Sequence, residues 1–141
     1  MNMNLVSIRL ITADIDALVS FYEQITGISA IRYTPDFAEL QTPTATLAIG
    51  STRTVQFFGG GSTAVPAENR TAIIEFLVSD VEHIFGQLEE FLIPYLIQKP
   101  TVMPWGNQSL LFRDPDGNLV NFFTPITEAA AEKFRHYSKT K

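Results

Sequence analysis

An internal repeat constrains this chain more than any other feature of its sequence. The segment SIRLITADIDALVSFYEQI (residues 7–25) aligns with IIEFLVSDVEHIFGQLEEF (73–91) at a constant offset of 66 residues. In both copies an apolar strand leads into an aspartate, Asp14 or Asp80, whose side chain can accept a hydrogen bond from the free amides at the start of a helix. The pattern predicts two copies of one folded unit.

The repeat continues beyond the two helices. FAELQTPTATLAIG (37–50) aligns with SLLFRDPDGNLVNF (109–122) at an offset of 72, which pairs Ile49 with Asn121. Each copy therefore predicts a strand, a helix and about three further strands joined by tight turns. The expected fold class is α+β, with two βαβββ modules.

Helical spacing of apolar residues predicts the limits of the helices. We expect one helix from about Ile15 to Ile25, ended by Gly27 in the left-handed conformation, and a second from Val81 to about Phe91. The alanine-rich segment TEAAAEKFRHYSK predicts a C-terminal helix capped by its threonine, with Phe134 packing on the body or on a partner chain.

These elements predict a single domain over residues 1–141, with a linker between the modules. Three glycines and a proline in FFGGGSTAVPAENR mark that connection. The expected boundaries are 5–58 for module one, 59–70 for the linker, 71–125 for module two and 127–138 for the C-terminal helix.

The composition is typical of a globular protein. Of 141 residues, 45% are hydrophobic and 18% charged, which favours a packed core over disorder. A net charge of −5 with scattered basic residues gives no footprint for nucleic acid, and the lack of cysteine excludes disulfides and thiolate ligands. Because the sequence has no membrane-span or signal-peptide pattern, we expect a cytoplasmic protein with no membrane partner.

The segment FRDPDGNLVNF predicts a strand, a turn and a second strand. Pro115 presets the first corner of the turn, and Gly117 accepts the positive φ that closes a bulged hairpin. The strand that follows is apolar except for Asn121. A polar side chain at such a position requires an explanation, which the turn alone does not supply.

Together, IRLITADIDALVSFYEQITGI, FLVSDVEHIFGQL and LLFRDPDGNLVNFF resemble the vicinal oxygen chelate superfamily. That superfamily includes glyoxalase I, extradiol dioxygenases and the fosfomycin and bleomycin resistance proteins. The resemblance covers about residues 5–125 and implies paired βαβββ modules that curl around a cup, usually within a homodimer. Function varies widely on this fold, so it has to be argued from the site.

The resemblance also locates the positions at which family enzymes hold a divalent metal ion. Histidine and glutamate ligands stand there on the first and last strand of each module. Here the first-strand positions, seven residues before each helix-capping aspartate, are Ser7 and Ile73, and the last-strand positions are Ile49 and Asn121. These side chains form a poor ligand set for a catalytic metal, so we expect neither metal nor cofactor, as in the metal-free bleomycin-resistance branch.

The two histidines do not replace the missing ligands. His83 falls on the second predicted helix and His136 near the C-terminus, and we expect both on the surface.

Strand alternation predicts which side chains would line the cup, because residues i and i+2 share a face. The result is an apolar pocket with a few polar groups, which is typical of small-molecule sites. The predicted lining is Ser7, Arg9, Ile11, Leu47, Ile49, Ile73, Glu75, Leu77, Leu119, Asn121 and Phe123.

Two polar positions in this lining have alternative interpretations. Arg9 and Glu75 are repeat equivalents, and the resemblance implies that the two first strands lie near each other. The two residues are then either a buried ion pair, or one of them contacts a charged ligand. The single tryptophan, Trp105 in VMPWGNQS, either packs the start of a strand or stacks on a flat or cationic ligand, as in metal-free relatives. Tyr33, Phe37 and Phe57 are weaker candidates for the rim.

Three functions follow from this set of residues. The first is a metal-independent protein, a homodimer as the resemblance implies, that binds and would sequester an antibiotic or metabolite; the expected ligand-binding residues are Ser7, Arg9, Ile49, Ile73, Glu75, Trp105, Asn121 and Phe123. The alternative is a lyase, isomerase or dioxygenase with a non-standard site, for which Glu75 is a weak candidate acid–base residue. The third is an interaction module whose cup is filled by its own bulky side chains.

Overall fold

The computed structural model describes residues 2–139, and its contacts divide the chain into two compact units. The first unit runs to Glu68 and the second starts at Asn69, so the division falls inside the predicted linker. Residues 1, 140 and 141, which the predicted domain includes, lie outside the described residues.

The first unit is a four-stranded mixed sheet with one α-helix. Its strands lie in the order β1-β4-β3-β2, with β1 parallel to β4 and the other neighbours antiparallel. A short 3₁₀ helix, Thr52–Phe57, follows the last strand. The elements are β1 (Ser7–Thr12), α1 (Ile15–Thr26), β2 (Ile31–Thr34), β3 (Phe37–Gln41) and β4 (Thr46–Ser51).

The helix α1 forms where the sequence predicts it and is one residue longer. The Asp14 carboxylate accepts a hydrogen bond from the Ala17 amide at 3.1 Å, which satisfies one of the free donors at the helix start. At the other end Gly27 has φ 71° and donates its amide to the Glu23 carbonyl. The helix buries one apolar face against the sheet, formed by Ile15, Leu18, Val19, Phe21, Tyr22 and Ile25.

The second unit repeats this topology. Its strands lie in the order β5-β8-β7-β6, again with a parallel pair followed by antiparallel neighbours. The predicted α+β class with two βαβββ modules is therefore confirmed. The elements are β5 (Ile73–Leu77), α2 (Val81–Leu92), β6 (Leu96–Val102), β7 (Asn107–Arg113), β8 (Leu119–Pro125) and α3 (Glu128–Lys133). Within residues 2–139, every helix is too short or too polar to cross a membrane.

Aromatic packing dominates the core of the second unit. Phe122 is 2% exposed, and its ring makes edge contacts with Phe76 and Phe112 at centroid distances of 5.4 and 5.2 Å. Each fully buried aromatic or aliphatic side chain of this kind contributes roughly 1.5–3 kcal/mol by leaving water. In each unit a helix packs against one side of the sheet.

The C-terminal helix is shorter than predicted. The Thr127 hydroxyl caps α3 by accepting from the Ala130 amide, as expected, but the α-helix ends at Lys133 and a 3₁₀ turn follows. Phe134 leaves the helical conformation with φ −105° and ψ 9°. Its ring lies 5.1 Å from that of Phe123, which agrees with packing on the body of the protein, one of the two predicted alternatives.

Candidate functional site

The open face of each sheet, defined as the side opposite its helix, carries the candidate residues. Residues paired across neighbouring strands point to the same side of a sheet, so the register assigns them to faces. In the second unit Glu75 pairs with Asn121, and Asn121 pairs with Leu111. The predicted alternation is confirmed there, and the open face includes Ile73, Glu75, Leu77, Leu119, Asn121 and Phe123.

In the first unit the predicted placement of Leu47 and Ile49 beside Arg9 is wrong. Arg9 pairs with Ala48, whereas Ile49 pairs with Leu10. Ile49 is 0% exposed and lies on the side covered by α1. Its predicted role in ligand binding therefore loses its structural basis.

The cause of this error is one additional residue in a turn. The turn between β3 and β4 has four residues, 42–45, whereas the turn between β7 and β8 has five, 114–118. Gly117, with φ 86°, provides the left-handed step that accommodates the longer turn. Beyond the turn the two copies are offset by 73 residues rather than 72, so the equivalent of Asn121 is Ala48.

The polar centre of the second open face is a pair formed by Glu75 and Asn121. The Asn121 side-chain nitrogen donates to Glu75 Oε2 at 3.0 Å. Asn121 is 8% exposed, whereas Glu75 is exposed to solvent. The Asn121 Oδ1 atom is buried and has no hydrogen-bond partner among the described residues.

The orientation of the Asn121 amide follows from its neighbour. An ionised carboxylate only accepts hydrogen bonds, so the NH₂ group of Asn121 must face Glu75. The carbonyl oxygen then points away from Glu75, and its capacity to accept a hydrogen bond is unused. A buried acceptor without a donor destabilises a fold by about 1–3 kcal/mol, which makes this atom conspicuous.

The first open face has a cation at the position where the second has Glu75. The Arg9 guanidinium carbon lies 4.5 Å from the Phe37 ring centre and 5.0 Å from that of Phe58. Among the described residues of the first unit, no side chain forms an ion pair with Arg9. The ring that contacts Arg9 is that of Phe58, whereas its neighbour Phe57 is 77% exposed and its place at the rim stays a prediction.

A hydrogen-bonded triad lies on the same side of the first sheet. The Tyr33 hydroxyl donates to Glu39 Oε1 at 3.2 Å, and the Gln41 amide nitrogen donates to both partners, at 3.3 and 3.0 Å. The hydrogen bond to Glu39 raises the pKa of Tyr33 above its ordinary value. Sequence reasoning missed Glu39 and Gln41, although both follow Phe37 at the alternating spacing of a strand.

Other candidates are divided between the two units. Ser7 and Ile73 are exposed on the first strand of each, and Phe123 is 7% exposed beneath Phe134. Since Arg9 and Glu75 belong to different units, their ion pair stays a prediction.

Trp105 is far from the Glu75–Asn121 pair along the strands. It lies at the tip of the β6–β7 turn, is 66% exposed, and precedes Asn107. Asn107 pairs with Pro125, four residues beyond Asn121, which corresponds to about 13 Å along a strand. One small ligand would not contact both, so stacking on Trp105 stays a separate prediction.

The side chains at the family's metal positions do not fit a divalent cation. After the register correction they are Ser7, Ala48, Ile73 and Asn121, which offer one hydroxyl and one amide. Residues 2–139 contain no group of three or more His, Asp or Glu side chains placed to hold a metal. Both histidines are exposed, as predicted, with His83 on α2 and His136 in the 3₁₀ turn.

Comparisons with known proteins agree with this architecture. The family model of the Glyoxalase/Bleomycin resistance protein/Dioxygenase superfamily matches residues 4–122. The uncharacterized protein YwbC of Bacillus subtilis (strain 168) is 27% identical over 115 residues, covering 78% of this chain and 88% of that protein.

Two solved structures show the same fold at low identity. A glyoxalase/bleomycin resistance protein/dioxygenase family enzyme from Burkholderia phytofirmans PsJN has a TM-score of 0.75 at 20% identity, covering 88% of this chain and 100% of that one. A glyoxalase-related enzyme from Fulvimarina pelagi has a TM-score of 0.73 at 19% identity, covering 87% and 88%.

Proposed function

The chain belongs to the glyoxalase/bleomycin resistance protein/dioxygenase superfamily, and we propose that within it this protein binds a small organic molecule without using a metal ion. One observation carries the proposal. At the family's metal positions stand Ser7, Ala48, Ile73 and Asn121, which are poor metal ligands, while polar groups beside them keep unused hydrogen-bonding capacity.

The open face of the first unit supports ligand binding by its chemistry. Arg9 stacks on Phe37 and Phe58, which holds the guanidinium plane while its N–H edges stay available to an acceptor. Aromatic rings with a few placed polar groups are typical of small-molecule sites. The expected ligand is a planar or amphipathic molecule with a polar substituent, such as an antibiotic or metabolite.

Two measurements test this proposal together. Protein purified without chelator is offered Ni²⁺, Zn²⁺, Mn²⁺ and Fe²⁺, and bound metal is counted by mass spectrometry. A panel of anionic, neutral and cationic aromatic compounds is then screened by thermal shift. We expect substoichiometric metal and at least one saturable rise in Tm; a ligand at 100 times its Kd adds about 2.7 kcal/mol to stability.

Variants of two arginines locate the binding surface. For a ligand bound on the first open face, Arg9→Met should weaken binding by about tenfold, the loss of roughly 1.4 kcal/mol of polar and cation–π contact. Arg32→Met is the matched control, because Arg32 pairs with Asp16 at 2.6 Å. One tightly held metal per chain, or no binding by any panel member, would contradict the proposal.

The structure offers no specific support for the other two functions. Catalysis by Glu75 would be helped by a buried carboxylate, whereas Glu75 is exposed. A face filled by its own side chains would not leave Arg9, Ile73 and Glu75 exposed. Homodimerisation and a cytoplasmic location belong to the proposal as expectations, and light scattering on the purified protein checks the first.

A further inference from the structure

We propose that Glu75 and Asn121 form an acceptor pair for a positively charged nitrogen group, the ammonium or amidinium of a small ligand. This inference rests on the proposed function, because it names the ligand class for one open face. It concerns the second unit alone. The residues involved lie on β5 and β8, which are adjacent parallel strands.

The buried oxygen of Asn121 is the first observation. The residue is 8% exposed, and its Oδ1 has no donor among the described residues. Its neighbours along β8 on the same face are Leu119 and Phe123, and its cross-strand partner on β7 is Leu111. A leucine would satisfy such apolar surroundings without leaving an acceptor unpaired, so packing alone does not explain an amide there.

The carboxylate of Glu75 is the second observation. Oε2 accepts from Asn121, while no described residue of the second unit, 69–139, donates to Oε1 or forms an ion pair with Glu75. Arg113, a cation on the same face, donates to the Gly117 carbonyl at 2.8 Å. The charge of Glu75 is therefore exposed and not compensated within its unit.

Together, Glu75 and the Asn121 carbonyl favour a ligand group that is positively charged and carries N–H donors. Glu75 and the Asn121 carbonyl both accept hydrogen bonds, and the first carries a negative charge. An ammonium group has three N–H donors and an amidinium has several in one plane, so either can bond to the exposed Glu75 carboxylate and still offer an N–H toward Asn121. A carboxylate or phosphate has no donor to offer and would be repelled.

Benzylamine is a suitable probe, with benzamidine as its amidinium counterpart. Benzoate and benzyl alcohol share the ring but are anionic and neutral. Binding to the full chain is measured by calorimetry and by the ¹⁵N shift of the Asn121 side-chain amide. We expect benzylamine to bind saturably and to move that resonance, with benzoate at least tenfold weaker.

Three variants assign the contacts. Glu75→Gln and Asn121→Leu should each weaken benzylamine binding by about tenfold, the effect of losing one charge-assisted or buried hydrogen bond. Glu90→Gln, which removes a charge from an exposed site on α2, should stay within about twofold. Because Glu75 is exposed, its variant remains informative if Asn121→Leu does not fold.

The outcomes separate this inference from the broader proposal. Benzylamine binding that is unchanged in Glu75→Gln, or benzoate binding as tightly as benzylamine, would overturn it while small-molecule binding stands. Absence of benzylamine and benzamidine binding up to about 10 mM, a free energy weaker than roughly 3 kcal/mol, would overturn it too. In that case a panel compound that still raises Tm would keep the proposed function.

Discussion

The two units share one topology, yet their open faces have opposite charge at equivalent positions. In the first unit Arg9 pairs with Ala48 and stacks on phenylalanine rings. In the second unit Glu75 pairs with Asn121 and bonds to it. The same backbone position thus holds a cation in one copy and an anion in the other.

The helix sides of the two sheets are much more alike. Ile49 and Phe122 occupy equivalent places there, at 0% and 2% exposure, and both pack among apolar side chains. Packing density restricts what a buried position tolerates, whereas a face that contacts solvent or ligand can change its chemistry at little cost in stability. The contrast teaches that the repeat preserves a scaffold and leaves its open faces to differ.

The largest expected difference between the units lies in their β-hairpin turns. Asp114 is 2% exposed and accepts hydrogen bonds from the Asp116 amide and from both nitrogens of Asn118, each at 2.9 Å. Asp114→Ala should lower the free energy of unfolding by about 2–3 kcal/mol, because it removes a charged acceptor and leaves turn donors unpaired. Urea unfolding followed by circular dichroism measures the loss.

The matched variant in the first unit is Thr42→Ala. There the Thr42 hydroxyl exchanges hydrogen bonds with Ala45 at 2.7 and 3.2 Å in an exposed turn. Its loss should amount to about 1 kcal/mol. Equal losses in the two variants would show that the longer turn confers no special stability.

The same turns explain how far the sequence predicts the site. Apolar spacing, the capping aspartates and Gly27 predict the helices and the succession of elements along the chain, because these signals act over a few residues. Which residues of a strand face the helix depends on the number of residues in the turn before it. Because the second turn has one extra residue, an alignment of the two copies at a constant offset assigns Ile49 to the wrong face of the sheet. In the second unit the predicted placement of Glu75 and Asn121 on one face agrees with the strand register, while their role stays a prediction.

Other features of the open faces depend on contacts that a pattern does not encode. Phe58 reaches Arg9 only because a 3₁₀ helix follows β4 and redirects the chain. Glu39 and Gln41 meet Tyr33 through cross-strand pairing of β2 and β3, which includes an irregular register. Trp105 has the predicted exposure, but strand length separates it from the Glu75–Asn121 pair.

The helix caps should behave alike in both units, with a smaller effect. Asp14 accepts from the Ala17 amide and Asp80 from the His83 amide, both at 3.1 Å. Asp14→Ala and Asp80→Ala should each reduce the free energy of unfolding by about 1 kcal/mol, measured by urea unfolding, whereas Asp→Asn at either site should be nearly neutral. A difference of more than about 1 kcal/mol between the two alanine variants would break the equivalence of the copies.

The smallest expected difference concerns acid stability at the β2–β3 hairpin. Asp36 accepts from Arg53 Nε and from the Ser51 hydroxyl, each at 2.7 Å, whereas the corresponding β6–β7 hairpin has Pro104 and Trp105 at its tip. The Arg53 hydrogen bond, followed by that of Ser51, lowers the pKa of Asp36 below its ordinary value of 3.8.

Because folding lowers the pKa of Asp36, the ionised carboxylate stabilises the folded state above its ordinary pKa, and that stabilisation is lost as the pH falls through the lowered value. Asp36→Asn should therefore be slightly less stable than the wild type at pH 7, and the gap should close in strong acid. Salt at 1 M should narrow the gap at pH 7, since the pair is exposed to solvent and screened, with a Debye length of about 3 Å.

Arg53→Met should reproduce the same pH dependence, and urea midpoints across the acid range measure both variants. A gap that persists at low pH would assign the effect to the turn geometry of Asp36 rather than to its charge, and the hairpins of the two units would then differ in backbone structure instead of electrostatics.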